Sequence, residues 1–393
     1  YRDFACSDED SMELVIGVNR AHLNIYNNLV NVLSRFGGKI VNTVSIKGEV
    51  IALVVDTPLD AVSSFVQEIQ MSSLALYVEP NMKFQTQFVP NDPYWSYQWG
   101  PQIIDADLAW DTTIGDPSVL VAVIDTGIDY THPDLADNYV PLGRDWANDD
   151  GDPLDDNGHG THCAGIIAAV LDNNVGIAGL AQVQIMAEKG LDAYGGGWED
   201  DLANAIIDAV DQGADILSNS WGGDFESRLI HDAVQYAFDK GVLVIAAAGN
   251  TATEVKHYPA AYDEVVAVTA TDPSDYPAWF TTFGEWVEVG APGVDIYSTL
   301  PTYHVTLNDP PYSRSQNYDY LSGTSMACPH AAGVAALIWS QFPNATRDWV
   351  RAQLRYMADD LGDPGFDKYY GYGRINARRA VEQAPLDLSL IHI

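Results

Sequence analysis

Hydrolysis of an acyl bond through a covalent intermediate needs a hydroxyl nucleophile, an imidazole that takes its proton and hands it to the leaving group, and a carboxylate that fixes the imidazole tautomer. Three segments supply these residue types: Asp125 in "VIDTGID", His159 in "DNGHGTHCAG" and Ser325 in "SGTSMACPH". Taken singly, each has a bland reading. An Asp after an apolar strand often serves a turn, a His in a Gly-rich loop is often structural, and Gly-Thr-Ser is ordinary loop chemistry. Taken together they form an Asp, His, Ser order, one of three known chain orders of the same triad. A zinc site built from His159, His162 and Cys163 is the competing use of these side chains, and it lacks a well-spaced fourth ligand.

Such residues must be carried to one point by a scaffold. From about residue 90 the chain alternates Gly- and Asp-rich loops with short apolar runs: "VLVAVI" ahead of Asp125, "VQIMA", "ADILS", "VLVIAAA" ahead of Gly249-Asn250, and "VVAVTA". Runs of this kind are buried parallel strands. Between them, 201–212 and 227–240 have amphipathic helical spacing, the latter closed by Gly241. The pattern predicts an α/β fold, a parallel sheet flanked by helices with right-handed crossovers. Active residues gather at the C-terminal ends of such strands, where Asp125 and Asn250 fall.

The segments "DTGID", "NGHGTHCAG", "AAAGN" and "SGTSMACPHAAGVAAL" resemble the signature segments of the subtilisin family of serine proteases, and the similarity runs through residues 88–384, from "PNDPYW" to "GYGRINA". The resemblance implies that Ser325 is the nucleophile at the start of a helix, His159 the general base and then acid, and Asp125 its orienting partner. His162 is then a packed helix residue. Asn250 matches the family's side-chain donor to the oxyanion, beside the backbone N–H of Ser325. The family pattern places an extended substrate along Asn219, Ser220, Trp221, Gly222 and Gly223 as an added strand. It walls the specificity pocket with Ser220-Trp221-Gly222 and Ala247-Ala248-Gly249 and puts His257 at the pocket base. The implied activity is a secreted serine endopeptidase of broad specificity that favours a large apolar residue before the cleaved bond, acts on polypeptides as a monomer and uses no organic cofactor. A catalytically silent binding protein on the same fold is the alternative, against which stands the presence of all four chemical groups.

Residues 13–84 read as strand, helix, strand, strand, helix, strand, a small α+β sandwich of the split βαβ kind. The first helix is expected to bury Leu23, Tyr26, Val30 and Leu33, and the second, opened by Pro58, to bury Leu59, Val62, Val66 and Ile69. By the resemblance, residues 13–87 are a prosegment that assists folding and caps the active site. The domain order becomes an extension over 1–12, the prosegment, a catalytic domain over 88–384 and a tail over 385–393. The chain is then a zymogen that processes itself between Gln85 and Pro90.

The sequence holds 55 acidic against 19 basic residues, a net charge of -36, which argues against nucleic acid or an anionic membrane as partner. No run approaches the roughly 18 apolar residues of a membrane span. Arg2 and Asp3 follow Tyr1 where a signal core would be apolar, so export is an implication of the resemblance. The three cysteines, Cys6, Cys163 and Cys328, cannot make a disulfide framework. Cys163 and Cys328 are expected as buried free thiols.

Carboxylates in such excess either keep a surface hydrated at high salt or ligate a hard cation. The family resemblance implies structural Ca²⁺ at a first site formed by the side chains of Asp92, Asp134 and Asn173 with the carbonyls of Val170, Val175 and Ile177. A second site would use Asp145, Asp150 and the Asp152 carbonyl. Leu154 stands there in place of a ligating amide, so Asp149 or Asp155 would have to substitute. The segment "DWANDDGDPLDDNG" is not an EF-hand, because Trp146 would occupy its first ligand position.

Overall fold

Six short apolar segments before residue 82 form an antiparallel sheet with two helices in the computed structural model, which describes residues 11–19, 25–72, 74–82 and 88–382. The first ten residues with Cys6, Leu23, positions 85–87 of the expected processing window and the 385–393 tail lie outside the described residues. The chain divides into two units, Tyr1–Thr86 and Gln87–Ile393.

The small unit runs β1 (Ser11–Val18), α1 (Ile25–Arg35), β2 (Lys39–Ile46), β3 (Glu49–Pro58), α2 (Val62–Ser72) and β4 (Ala75–Pro80). Its strand order β2-β3-β1-β4 is the expected split βαβ arrangement. Leu14 and Ile16 alternate inward on β1 and meet Leu53 and Val55 of β3, with Leu29, Val32, Leu33, Phe65 and Ile69 closing the core from the helices. The helix faces differ from expectation. On α1 the inward row is Leu29, Val32 and Leu33, while Tyr26 is exposed. Pro58 closes β3 instead of opening α2, which leaves Leu59 exposed and gives the inward row to Phe65, the largest apolar side chain available.

The large unit runs α3 (Trp99–Ile103), α4 (Ala106–Ala109), β5 (Leu120–Asp125), α5 (His159–Ala168), β6 (Gln184–Lys189), α6 (Glu199–Asp211), β7 (Ile216–Asn219), α7 (Arg228–Asp239), β8 (Leu243–Ala247), β9 (Val265–Thr271), β10 (Val289–Pro292), β11 (Ile296–Thr299), β12 (Tyr318–Leu321), α8 (Thr324–Gln341), α9 (Arg347–Tyr356) and α10 (Ala377–Glu382). Its main sheet has the order β10-β9-β8-β7-β5-β6 with every pairing parallel. All six residues of β5 are buried, as a strand covered on both faces must be. Val121 and Val123 pack with Ile166 of α5 and Met326 and Val334 of α8. Leu120, Ala122 and Ile124 pack on the other face with Leu202 and Ile206 of α6 and Val234 of α7. After β5 the chain crosses to β6 on one side and then to β7 on the other, so β5 lies at the switch point where such sheets open a crevice.

A buried ion cluster ties α9 to this sheet. Glu288, 4% exposed just ahead of β10, takes Arg351 Nη2 and Arg355 Nε at 2.6 Å each. Arg351 also donates to the carbonyls of Asp263 and Val265 at 2.9 and 3.0 Å. Removing one partner of such a cluster strands like charges, which costs about 3–5 kcal/mol. Glu288→Ala is therefore expected to lower the denaturation midpoint of the protein by about 3 kcal/mol equivalent. A midpoint unchanged in chemical denaturation would show that α9 is held by packing alone.

Candidate active site

Asp125 is the last residue of β5 and is fully buried, and His159 is the first residue of α5. Gly160 lets the helix start come this close, because a Cβ there would lie 2.1 Å from the Gly127 carbonyl oxygen and 3.1 Å from Asp125 Cβ. His159 Nδ1 donates to Asp125 Oδ1 at 2.8 Å, and the same oxygen accepts the Thr126 N–H at 2.7 Å. With Nδ1 carrying the proton, Nε2 keeps its lone pair for the cleft. Burial works against a charged ring, but the adjacent Asp125, its hydrogen bond and the more distant Asp155 hold the His159 pKa above the ordinary imidazole value.

Ser325 lies in the first turn of α8. Its Oγ donates to the Ser220 carbonyl at 3.1 Å, and Ser220 Oγ donates back to the Ser325 carbonyl at 2.8 Å. The hydroxyl is thus turned to Ser220 and not to His159 in this state, whereas the sequence reading pairs the two directly. Such bonds are often loose before substrate arrives. Asn250 Oδ1 accepts both the N–H and the hydroxyl of Thr324, at 2.9 and 3.0 Å. That fixes the amide's orientation and leaves Nδ2 as the outward donor. Thr324 is a residue the sequence did not single out; its only signal was its place before Ser325.

A cleft of about 610 Å³ joins His159, Ser325 and Asn250 with Ser220, Trp221, Gly222, Ala247, Gly249 and His257. Three expected substrate contacts are not in it. Asn219 and Ala248 are completely buried, the first donating from Nδ2 to the Leu217 and Ile245 carbonyls at 3.3 and 3.2 Å. Gly223 has both backbone groups paired with Tyr258, at 2.9 and 2.8 Å, and lines a neighbouring 300 Å³ pocket with Trp221, Gly222 and Ile230. The free edge is therefore Gly222, whose N–H and C=O have no backbone partner among the described residues.

Asp155 was expected, if anything, as a calcium ligand, and it is engaged elsewhere. Completely buried, its Oδ1 accepts Thr126 Oγ1, Asn157 N and Gly158 N at 2.9, 3.0 and 2.8 Å, and its Oδ2 accepts Thr161 N and Oγ1 at 2.9 and 2.6 Å. It binds the residue after Asp125 to the turn that opens at His159. Lys189, 1% exposed, braces the same place by donating to the Thr126 and Leu191 carbonyls and to Asp156, at 2.8, 3.1 and 2.6 Å.

His162 is buried, with Nε2 against the Ile296 and Asp319 carbonyls at 3.0 and 3.2 Å, and burial with the nearby His159 pushes its pKa down to about 3. Cys163 and Cys328 are free buried thiols. Burial raises the Cys163 thiol well above its ordinary value and Cys328 to about 11, so both are protonated thiols at neutral pH.

The residues of the first cation set come together. Asp92 and Asp134 are 3% and 0% exposed, and Asn173 Nδ2 donates to Asp134 Oδ1 at 2.9 Å. Neither carboxylate has a Lys, Arg or His counter-charge among the described residues. The carbonyls of Val170, Val175 and Ile177 receive no backbone N–H there either. Burial, with Asp92 adding repulsion, raises Asp134 to about 6. The carboxylate oxygens do accept hydrogen bonds, Asp92 from the Asp172 and Asn173 N–H groups and Asp134 from Asn173 Nδ2 and the Ile177 N–H, but two buried carboxylates without a cationic partner, beside three carbonyls with no backbone donor, still offer lone pairs that suit a hard cation. The second set fits poorly. Both Asp145 oxygens accept from Asn148 at 2.8 Å, Asp150 Oδ1 accepts Asp152 N at 3.0 Å, and Asp149 pairs with Arg144 at 3.0 Å.

The charges facing the His159 ring are Asp125 and Asp155, with His162 and the Cys163 thiol behind. Taking away the Asp155 charge destabilises the imidazolium and lowers its pKa. In Asp155→Asn the acid limb of the kcat/KM profile is expected to move to lower pH, with kcat down roughly ten- to a hundredfold from lost positioning. An acid limb that stays put or moves up would remove Asp155 from the electrostatics of His159.

Residues 116–373 match the model of the subtilase family. The chain is 44% identical over 322 residues to a thermophilic serine proteinase of Bacillus sp. (strain AK1), covering 81% of this chain and 76% of that protein. It is 44% identical over 297 residues to thermitase of Thermoactinomyces vulgaris, covering 75% of this chain and 100% of that protein. It is also 37% identical over 316 residues to the halolysin-like extracellular serine protease Nep of Natrialba magadii, 79% of this chain and 56% of that protein. A parallel sheet with Asp125, His159 and Ser325 at one crevice, together with this match, places the chain in the subtilase family as a serine endopeptidase.

Proposed function

We propose that the protein is a secreted endopeptidase that cleaves polypeptides through an acyl-enzyme, with Ser325 as nucleophile, His159 as general base and acid, Asp125 as its orienting partner and Asn250 in the oxyanion hole. The observation that carries this is the Asp125-bound imidazole opening on the same cleft as Ser325 and the outward amide of Asn250. Substrate lying along Gly222 presents its carbonyl to Ser325. The Oγ–C bond forms as the hydroxyl proton passes to His159 Nε2, and the carbonyl oxygen becomes an anion facing Asn250 Nδ2 and the first turn of α8. The C–N bond then breaks, the imidazolium proton leaves with the amine, and water repeats the sequence on the ester. In subtilisin, where the value was measured, losing the amide donor costs about 10²–10³ in kcat.

Secretion is supported by the extracellular relative. Residues 13–87, nearly all of them in the small unit, act as a prosegment that assists folding and inhibits the enzyme within the chain until self-cleavage between Gln85 and Pro90. The slow, non-local assembly of a parallel sheet is the physical reason for such a helper. The active form is a monomer over 88–384.

One structural Ca²⁺ would be held by Asp92, Asp134 and Asn173 with the carbonyls of Val170, Val175 and Ile177. It neutralises two buried carboxylates and stabilises the fold by mass action. The set of Asp145, Asp150 and Asp152 is not proposed as a second site.

Ser325→Ala is expected to lose about 10⁶ in kcat, the figure measured in subtilisin, and to fail to react with a covalent probe for activated serine that labels the processed parent. Activity within tenfold of the parent, or a parent that does not label, overturns the assignment. Chelation should lower the unfolding temperature of the parent, and Asp134→Ala should melt at one temperature with or without chelator. A parent indifferent to chelator removes calcium from the account.

A further inference from the structure

Residues 220–222 leave the end of β7 as a straight segment without turn or bend, and Gly223 then pairs with Tyr258 through both backbone groups, at 2.9 and 2.8 Å. Along an extended chain successive residues present their N–H and C=O to opposite edges, so alternate residues share one. The pairing of Gly223 therefore turns Gly222 and Ser220 to the edge away from Tyr258. Gly222 is free there, and the Ser220 carbonyl receives no backbone N–H among the described residues. That carbonyl is nonetheless occupied, because Ser325 Oγ donates to it at 3.1 Å.

A hydroxyl has one proton to give. While Ser325 donates it to Ser220 it cannot donate it to His159, and no hydrogen bond joins Ser325 to His159 among the described residues. The imidazole is committed on its other side: Nδ1 donates to Asp125 at 2.8 Å, so Nε2 keeps a free lone pair. The hold on Ser325 runs both ways, since Ser220 Oγ donates to the Ser325 carbonyl at 2.8 Å, and Cys163 Sγ donates to the same oxygen at 3.4 Å. The Ser325 backbone is thereby fixed, and its side chain alone is left to turn.

An extended substrate running antiparallel along this edge exchanges hydrogen bonds with Gly222 and, two residues further on, brings an N–H to the Ser220 carbonyl. Two bonds from that nitrogen is the same residue's carbonyl carbon, which arrives beside the hydroxyl because both are neighbours of one oxygen. The Ser220 oxygen has two lone pairs, but a second donor weakens the first, and the arriving carbon draws the Oγ lone pair toward itself. The hydroxyl proton then turns to the remaining acceptor, His159 Nε2.

We propose that Ser220 is a positioning residue that keeps Ser325 at rest: its carbonyl holds the hydroxyl proton away from His159 until the N–H of the residue being cleaved displaces it. The proposal rests on the peptidase reading of the same cleft and makes activation of the hydroxyl depend on the backbone of the substrate.

Two peptides test it, one with an ordinary backbone and one in which an ester oxygen replaces the N–H of the residue before the scissile bond, each followed by release of the leaving amine. The ester peptide keeps its side chains but cannot displace the hydroxyl, so kcat should fall roughly three- to tenfold, the worth of one hydrogen bond. KM should hold to within about twofold, because binding only exchanges one bond on the Ser220 carbonyl for another. A KM that rises while kcat holds would mean that the N–H merely binds substrate, and it overturns the proposal. A second readout is the labelling of Ser325 by methanesulfonyl fluoride, which has no backbone to offer. An acetylated tripeptide N-methylamide, whose last N–H reaches Ser220 and which carries no carbonyl beyond it, is added at a concentration that inhibits peptide cleavage. It should speed labelling roughly threefold, and its N,N-dimethylamide should not. Labelling left unchanged or slowed by the N-methylamide refutes the idea. Neither readout needs a variant, so no misfolded substitution protects it. A protein that neither cleaves the ordinary peptide nor takes up the sulfonyl fluoride sinks the peptidase reading beneath, a result distinct from equal kcat on the two peptides.

Discussion

A carboxylate sealed from water governs the geometry of the large unit. Asp155 has lost its hydration entirely, and an ion so placed costs several kcal/mol unless donors replace the water. Five protein donors do so, and they come from two places that the chain must bring together: Thr126, at the end of β5, and residues 157–161, at the start of α5. Satisfying that one charge therefore sets the distance between Asp125 and His159. Lys189 adds a second buried brace on the Thr126 carbonyl, so the strand end is held from both sides.

Ser325 is held by a different device. α8 is apolar around nearly its whole circumference and buried from Met326 to Ile338, as a helix through the centre of a domain must be. Packing fixes its axis. Thr324 then spends its N–H and hydroxyl on Asn250, which aims the amide, and Ser220 holds the Ser325 hydroxyl and carbonyl. Cys163 on α5 and Cys328 on α8 are buried thiols, and burial keeps both protonated.

The acidic excess is not all surface. Glu188 lies inside the large unit with Trp146 Nε1 donating to it at 2.7 Å, and burial, with the Asp208 charge opposing ionisation, raises it to about 9. It is a neutral acid at physiological pH and does not contribute to the formal charge as a count of residues assumes. Asp92 and Asp134 answer the same cost of burial differently, by gathering oxygen ligands that suit a cation.

By itself the sequence determined the architecture of both units and the family to which the chain belongs, because strand periodicity, helix spacing and ordered motifs are local properties of the chain. It also grouped Asp92, Asp134 and Asn173, and Asn173 hydrogen-bonds to both carboxylates in the fold. Tertiary structure decided which face of α1 and α2 goes inward, since competition between Tyr26 and Leu29, or Leu59 and Phe65, is settled only by what lies opposite. It moved Asn219, Ala248 and Gly223 out of the cleft, because burial and backbone pairing depend on strands distant in sequence. It turned Asp155 from a possible ligand into the fastener of the turn that opens at His159. Hydrogen bonds and desolvation act across space, and a string of residues fixes their partners only once the chain has closed on itself.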